Sequence, residues 1–341
     1  MMRLLYLSAH SVLEFDEVSL FRELGHYVFS PGAYVNPQNR GEADLRPDIP
    51  GLAYDPEDLD LYHRCGIAGS DNKVHLSREL VSRFDAVVIM HTPDWITLNW
   101  PVFRETKVRV IWRTIGQSIG KQEAALQHAR SEGLQIVRYS PAEERIPGFI
   151  GQDAMIRFYK DPEEWGGWTG NTAAVLNVGQ DVINRGTACN YEFMEKVTRP
   201  FARKLIGRGS EAVSWGAGKL SFAEVKAAMQ AHRVFFFTGT LPASYTLGFV
   251  EALMTGAPVV SIGKNHGNDL KNFPGHDLFE VPDLLKDVGF SSDDPFELMD
   301  VISALIQSKP FAQSLGEAGR RRAIELFGKS KILGEWKEFL G

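Results

Sequence analysis

The sequence predicts an α/β protein made of two doubly wound, Rossmann-like parallel-sheet domains. Three observations carry that prediction. Short apolar runs of strand length alternate with helix-period segments along most of the chain, the βαβ rhythm of parallel sheets covered by helices. The rhythm breaks between Pro141 and Trp168, where Pro141, Pro147, Pro162 and several glycines interrupt it, and then it resumes. The length of 341 residues suits two domains of about 100–200 residues each better than one core.

In the first half, Leu4–Leu7 reads as a strand, Glu17–Leu24 as a helix stopped by Gly25, and Tyr27–Ser30 as a second strand. Residues 31–72, rich in Pro, Gly, Asn and Asp, read as long loops with little regular structure. Ser77–Phe84 has the helix period, Ala86–Met90 and Val108–Trp112 read as strands, Lys121–Glu132 as a helix and Gln135–Tyr139 as a strand. In the second half Ala174–Val178, Lys204–Ile206, Val234–Phe237 and Pro258–Ile262 read as strands. Ala188–Val197, Phe222–Ala231, Leu247–Thr255 and Pro295–Ile306 read as helices, and Ser314–Leu326 runs on into a last helix, Ser330–Leu340. These assignments give domains at 1–150 and 171–325, a passage between them at 151–170, and a closing helix at 326–341. Ligands of such sheets bind beyond the carboxyl ends of the strands, and two facing domains place the site in their cleft.

Composition narrows the function. The chain is 44% hydrophobic and 23% charged, and no apolar run approaches the roughly 20 residues of a membrane span. Two distant cysteines, Cys65 and Cys189, fit no metal-ligand spacing and suit a reducing cytoplasm. A net charge of −6 argues against a strongly basic nucleic-acid binder, although Arg104, Lys107, Arg109 and Arg113 form a local basic cluster, as do Arg320, Arg321 and Arg322. Solvated faces are the ordinary explanation of both.

Two phosphate motifs nearly match and fail. Gly207-Arg208-Gly209-Ser210-Glu211-Ala212 has the Gly-x-Gly-x-x-Ala spacing after a strand, but Trp215, Gly216 and Gly218 deny it the helix that would face a nicotinamide cofactor's pyrophosphate. Gly218-Lys219 resembles a P-loop, yet Val213 occupies the first glycine position and Leu220 the magnesium-binding hydroxyl position. Asp58-Leu59-Asp60 has the form of a metal–diphosphate acid pair, in a context that makes chance the simpler explanation.

The stretch Pro242-Ala243-Ser244-Tyr245-Thr246 is more informative. It follows a buried strand and leads into the helix that carries Glu251, so amides around Ser244, Tyr245, Thr246 and Leu247 can meet an anion at a helix N-terminus. Glu251, one to two turns in, can accept from paired ribose hydroxyls; the alternative is an amphipathic helix with Glu251 solvated. Upstream, strand residues end in Gly179-Gln180 and are followed by Asn184-Arg185-Gly186. Gly179 permits close backbone approach and Arg185 suits phosphate oxygens, with a solvated loop arginine as the alternative.

Taken in order, the strand–Gly179…Arg185-Gly186 unit, Ile206-Gly207-x-Gly209, the helix start Ser221-Phe222-Ala223-Glu224-Val225 and residues 242–263 resemble the donor domain of GT-B fold glycosyltransferases. The likeness is to the large retaining, sugar-nucleotide-dependent group, glycosyl transferases group 1. Glu317-Ala318-Gly319-Arg320-Arg321 through Trp336 resembles that family's closing helices, the last of which crosses back to the N-terminal domain. The resemblance implies that Arg185 holds the donor diphosphate, with Gln180 where arginine is usual. Glu251 corresponds to the second of two family acids eight positions apart, and Ala243 stands at the first. On the N-terminal side, His91-Thr92-Pro93-Asp94-Trp95 is similar to a His-x-x-Asp-Trp strand end and would bring His91 and Asp94 to the reacting groups. His10, Ser11, Glu14, Asp16, Arg113 and Gln117 follow strands on the acceptor side.

The resulting expectation is a cytoplasmic hexosyltransferase type of enzyme that uses a UDP- or GDP-sugar without a metal and retains anomeric configuration. Its hydroxylated acceptor is a saccharide, a lipid-linked sugar or a small metabolite. Because the wider fold includes phage members that glycosylate hydroxymethylated bases, modified DNA is a further candidate, with Arg104, Lys107, Arg109 and Arg113 on phosphates. The competing expectation is a non-catalytic nucleotide-sugar binder whose Ala243 marks a degenerate site.

Overall fold

A computed structural model of the chain describes residues 1–8, 10–32, 49, 51–68, 73–116 and 118–341. They form two compact units, Met1–Ile156 with Leu333–Gly341, and Arg157–Ile332.

Unit 1 opens with strand β1 (Arg3–Leu7), helix α1 (Ser11–Glu23) and strand β2 (Tyr27–Phe29). The helix begins six residues before the expected Glu17, because His10 caps it: Nδ1 accepts from the Leu13 N–H at 3.4 Å. Helix α2 (Pro56–His63) and the antiparallel hairpin β3 (Gly66–Ala68)–β4 (Lys73–His75) lie within or beside the stretch expected to be loop. Pro56 occupies the first helical turn, where proline lacks nothing the helix needs, and Asp55 caps the Glu57 N–H at 3.0 Å. Asp58 is buried on this helix and accepts from Tyr27 and from the guanidinium groups of Arg3 and Arg83, so it is a structural carboxylate rather than half of a metal clamp.

Helix α3 (Arg78–Val81), strand β5 (Ala86–Met90), helix α4 (Pro93–Thr106) and strand β6 (Arg109–Arg113) follow. Helix α4 was not foreseen, again behind an N-terminal proline. Lys107 caps its end in a left-handed conformation (φ 56°). Helix α5 (Gly120–Ser131), strand β7 (Gln135–Arg138) and the short strand β8 (Ala154–Met155) complete a parallel sheet of order β2-β1-β5-β6-β7-β8. Strand β5 is wholly buried, the signature of a sheet covered on both faces.

Unit 2 holds strand β9 (Thr172–Val178), helices α6 (Val182–Arg185) and α7 (Tyr191–Thr198), strand β10 (Arg203–Ile206) and helix α8 (Phe222–Ala231). Ser221 and Glu224 close a reciprocal capping box at the start of α8. Strand β11 (His232–Phe237), helix α9 (Leu247–Thr255), strand β12 (Val259–Ile262), helices α10 (Lys264–Asn268) and α11 (Val281–Leu284) and strand β13 (Phe290–Ser292) follow. The sheet is parallel, in the order β10-β9-β11-β12-β13. Helices α12 (Pro295–Gln307) and α13 (Lys309–Phe327) close the unit, and α14 (Lys329–Leu340) follows.

The chain returns to unit 1 within α14, from Leu333 onwards. Trp336 packs edge-on against Phe21 at 4.8 Å, and Arg109 donates to the carbonyls of Phe339 and Leu340.

Candidate functional site

In each unit the strand order reverses beside the first strand, between β1 and β5 in unit 1 and between β9 and β11 in unit 2. Such switch points open a crevice at the carboxyl ends of the strands. In unit 2 the chain leaving β9 carries Gly179, Gln180 and Arg185, and the chain leaving β11 carries residues 242–247. Structure ties these two exits together. Asn177 Nδ2 donates to the Phe236 carbonyl at 2.6 Å, Asn190 Nδ2 to that of Thr238 at 3.0 Å, and the Leu241 N–H to that of Ala188 at 2.8 Å.

The glycine at the end of β9 is required by the chain itself. A Cβ on Gly179 would lie 2.6 Å from Val182 Cγ2, and one on Gly207 (φ 139°) would lie 2.0 Å from the Gly179 carbonyl oxygen. This close crossing of the β9 and β10 exits explains Gly179 without a ligand. Gln180 is likewise engaged internally, its Oε1 accepting from the Arg208 N–H at 2.9 Å, while Asp181 takes the Arg208 guanidinium at 2.6 and 3.0 Å. Arg185 differs. It is half-buried, its guanidinium has no hydrogen-bond or carboxylate partner among the described residues, and its charge opposes the rise that burial imposes on the Cys189 thiol pKa. That thiol hydrogen-bonds Thr240, on the approach to α9.

Helix α9 is apolar enough to bury Phe249, Val250, Leu253 and Met254, which fixes its orientation. Glycines at 316 and 319 of α13 let the helices approach closely, and Arg320 donates to the Met254 carbonyl at the far end of α9. At the near end Thr246 makes no side-chain cap. The N–H groups of Thr246, Leu247 and Gly248 find no acceptor among the described residues, and a Cβ at Gly248 would meet nothing within 4 Å. Open amides at the positive end of a helix suit an anion. The side chains of Ser244 and Tyr245, by contrast, are buried; Tyr245 packs on Phe158 and Phe327 and beneath Arg157, so only the Thr246–Gly248 end of the expected loop is open.

Glu251 is neither solvated nor free. Lys160, 1% exposed, places Nζ 2.8 Å from its Oε1. A second buried pair, Arg157–Glu280, braces the same loop, with the Glu280 N–H donating to the Ser244 carbonyl at 3.1 Å. Sequence reasoning missed all three partners. Lys160 and Arg157 lie in the stretch read as an inter-domain passage, and no local signal marks a lysine that will be buried opposite a residue 91 positions away.

At the switch point of unit 1, His10 and His91 come together from the ends of β1 and β5, close enough for His10 to influence His91. Burial lowers the His91 pKa and His10 lowers it further, so the imidazole is neutral at pH 7. Its backbone is left-handed (φ 66°), held by its N–H donating to the Arg113 carbonyl at 2.8 Å and its carbonyl accepting from Trp112 Nε1 at 3.1 Å. Nδ1 is buried and has no partner among the described residues. Asp94 stands exposed on the first turn of α4.

Three of the remaining acceptor-side residues are buried. Arg113 is 0% exposed, pairs with Glu17 at 2.7 Å and donates to the Ile156 carbonyl at 2.6 Å. Glu14 is 1% exposed and accepts from Ser30, and Asp16 is 2% exposed. Each has its charge in the interior of unit 1. The Ser11 side chain and Gln117 lie outside the described residues. Of the basic cluster, Arg109 serves Gln135 and the carbonyls of α14, while Arg104 pairs with Glu132 at 3.1 Å and, like Lys107, is exposed.

No protein-family model matches this chain, and a search of curated proteins finds no match. Solved structures do match. HepE of Anabaena, in complex with UDP-glucose, aligns over 100% of this chain and 99% of its own, with a TM-score of 0.68 at 12% identity. A glycosyltransferase from Rickettsia africae aligns over 99% and 98%, with a TM-score of 0.66 at 13% identity. S. aureus TarM, in complex with fondaparinux, α-GlcNAc-glycerol and UDP, covers 81% of this chain and 64% of its own, at 0.57 and 12%. The fold is therefore GT-B, two Rossmann-like parallel-sheet units of the kind found in these glycosyltransferases. Among the described residues no helix is long and apolar enough to cross a membrane.

Proposed function

We propose that this protein transfers a sugar from a UDP- or GDP-sugar to a hydroxyl acceptor in a cytoplasmic setting. One observation carries the reading. In a GT-B fold, the open N-terminus of α9, Arg185, which has no partner among the described residues, and the half-engaged Glu251 belong to one strand-end region of unit 2. Amides and guanidinium suit a diphosphate, and the carboxylate suits ribose hydroxyls. UDP and UDP-glucose bound to structurally similar HepE support the same ligand class.

Arg185 and the α9 amides stabilise the diphosphate as it leaves and the anomeric carbon gains oxocarbenium character. That arrangement needs no metal to neutralise the leaving group. Retention of configuration is proposed from the family resemblance. On the acceptor side, Asp94 offers an exposed carboxylate and a neutral His91 lies at the unit 1 switch point. A saccharide or small hydroxylated metabolite is favoured over a base in DNA, because Arg109 and Arg113 are committed within unit 1.

A second reading, a binder without turnover, has Ala243 behind it. This side chain is buried and apolar where the resemblance calls for an acid that grips the transferred sugar. A panel of UDP- and GDP-sugars followed by thermal shift and by nucleotide release separates the two. The enzyme reading expects a raised melting temperature and release of UDP or GDP that survives a chelator. A shift without release favours the binder, and release abolished by chelator and restored by magnesium or manganese contradicts the metal-free arrangement.

A further inference from the structure

The buried lysine beside α9 carries an inference that rests on the nucleotide-sugar reading and extends it. Lys160 is pinned by its backbone, its N–H donating to the Phe327 carbonyl at 2.9 Å and its strand bridge running to Gly328. Its side chain is 1% exposed, with Nζ 5.6 Å from the centroid of the Trp165 ring and 2.8 Å from Glu251 Oε1. The Glu251 side chain is 14% exposed, and Oε2 takes no hydrogen bond from the described residues. A buried ammonium without a carboxylate is strongly unfavourable, so the pair holds one carboxylate oxygen inward. A glutamate at a helix surface otherwise samples several rotamers, and ordering it on binding weakens affinity.

We propose that Lys160 is a positioning residue, which fixes Glu251 so that Oε2 is presented to the vicinal hydroxyls of the donor ribose. One carboxylate oxygen has two lone-pair sites, so Oε2 alone can accept from both hydroxyls while Oε1 remains with the lysine. On this account Lys160 never touches the nucleotide, yet it decides how strongly the site distinguishes a ribose from its deoxygenated form.

The test is the ratio of dissociation constants for 2′,3′-dideoxy-UDP and UDP, or for the GDP pair if GDP is the tighter ligand. In the wild-type protein the dideoxy form is expected to bind about tenfold or more weakly, since hydrogen bonds to a charged acceptor are lost. Lys160→Met is expected to bring that ratio to within about threefold of unity, while the diphosphate contacts preserve measurable binding of both nucleotides. A lysine that served stability alone would lower the melting temperature and weaken both ligands alike, leaving the ratio at its wild-type value; that result overturns the proposal. Lys160→Arg keeps the cation but not its reach, and serves as the second variant should the methionine substitution fail to fold. A reduced ratio in a protein that melts near wild type supports the proposal, and an unchanged ratio overturns it. If neither UDP nor GDP binds the wild-type protein, the nucleotide-sugar reading fails first and takes this inference with it.

Discussion

The two switch points have the same topology and opposite electrostatics. At the strand ends of unit 1, charged side chains have partners within the unit: Arg113 and Tyr6 both donate to Glu17, Arg138 donates to Glu123, and Ser30 donates to Glu14. At the end of β9 and β11 in unit 2, the α9 amides and the Arg185 guanidinium have no such partners among the described residues, and Glu251 has one oxygen engaged. The comparison teaches that residue type does not identify a ligand-facing charge. What matters is whether the fold supplies a counter-charge from a distant part of the chain. Arg113 ends a strand and Arg185 lies on the short helix that follows one; of the two, only Arg185 lacks a partner among the described residues.

The largest effect should come from breaking the closed side. Arg113→Ala leaves Glu17 buried without its cation, and removing one partner of such a pair costs about 3–5 kcal/mol. Urea unfolding should show a lowered midpoint. A midpoint equal to wild type would mean that Arg113 is not sealed in the interior as described. On the open side, Arg185→Ala is expected to leave stability within about 0.5 kcal/mol of wild type while weakening nucleoside-diphosphate binding by roughly 1.5–3 kcal/mol. Calorimetry with the matching nucleoside should show no change. Equal losses for nucleoside and diphosphate would assign Arg185 a different contact.

A smaller effect concerns pH. Burial, reinforced by His10, keeps His91 below its ordinary pKa in the folded protein, so the unfolded chain binds a proton that the folded chain resists. The contribution to stability is therefore complete above about pH 6.5 and is lost as pH falls from there through the lowered folded value. The melting temperature should decline as pH falls below about 6.5, and His91→Gln should flatten that decline without removing it, because burial also lowers the His232 pKa. An identical slope in the variant would exclude His91 as a source. The smallest effect is expected at Arg208→Ala: its pair with Asp181 is 2.6 Å long but the guanidinium side chain is 56% exposed, so the loss should stay under about 1 kcal/mol. A larger loss would show that the β9 and β10 exits depend on this pair as much as on their backbone crossing.

Much of unit 2 was legible in the sequence, for identifiable reasons. Helices Phe222–Ala231 and Leu247–Thr255 have the bounds expected of them, because a Ser221–Glu224 capping box starts the first and Gly256 in a left-handed conformation (φ 88°) ends the second. Helices α2 and α4 were not legible. Pro56 lies in a Pro- and Asp-rich stretch that reads as loop, and Pro93 reads only as part of a strand-end motif, whereas each stands in the first turn of a helix, which tolerates it. Of the candidate site, the residue types at the strand ends could be read, since glycine, arginine and a helix start occur in order. Their partners could not: Lys160 opposite Glu251 and Glu17 opposite Arg113 are joined only when the chain folds.

A crystal structure with UDP or GDP, whichever raises the melting temperature, tests the central claim most directly. The expected result is a diphosphate against the Leu247 and Gly248 N–H groups and the Arg185 guanidinium, with the ribose hydroxyls on Glu251 Oε2. A nucleotide bound away from α9, or one whose diphosphate avoids Arg185, would contradict it.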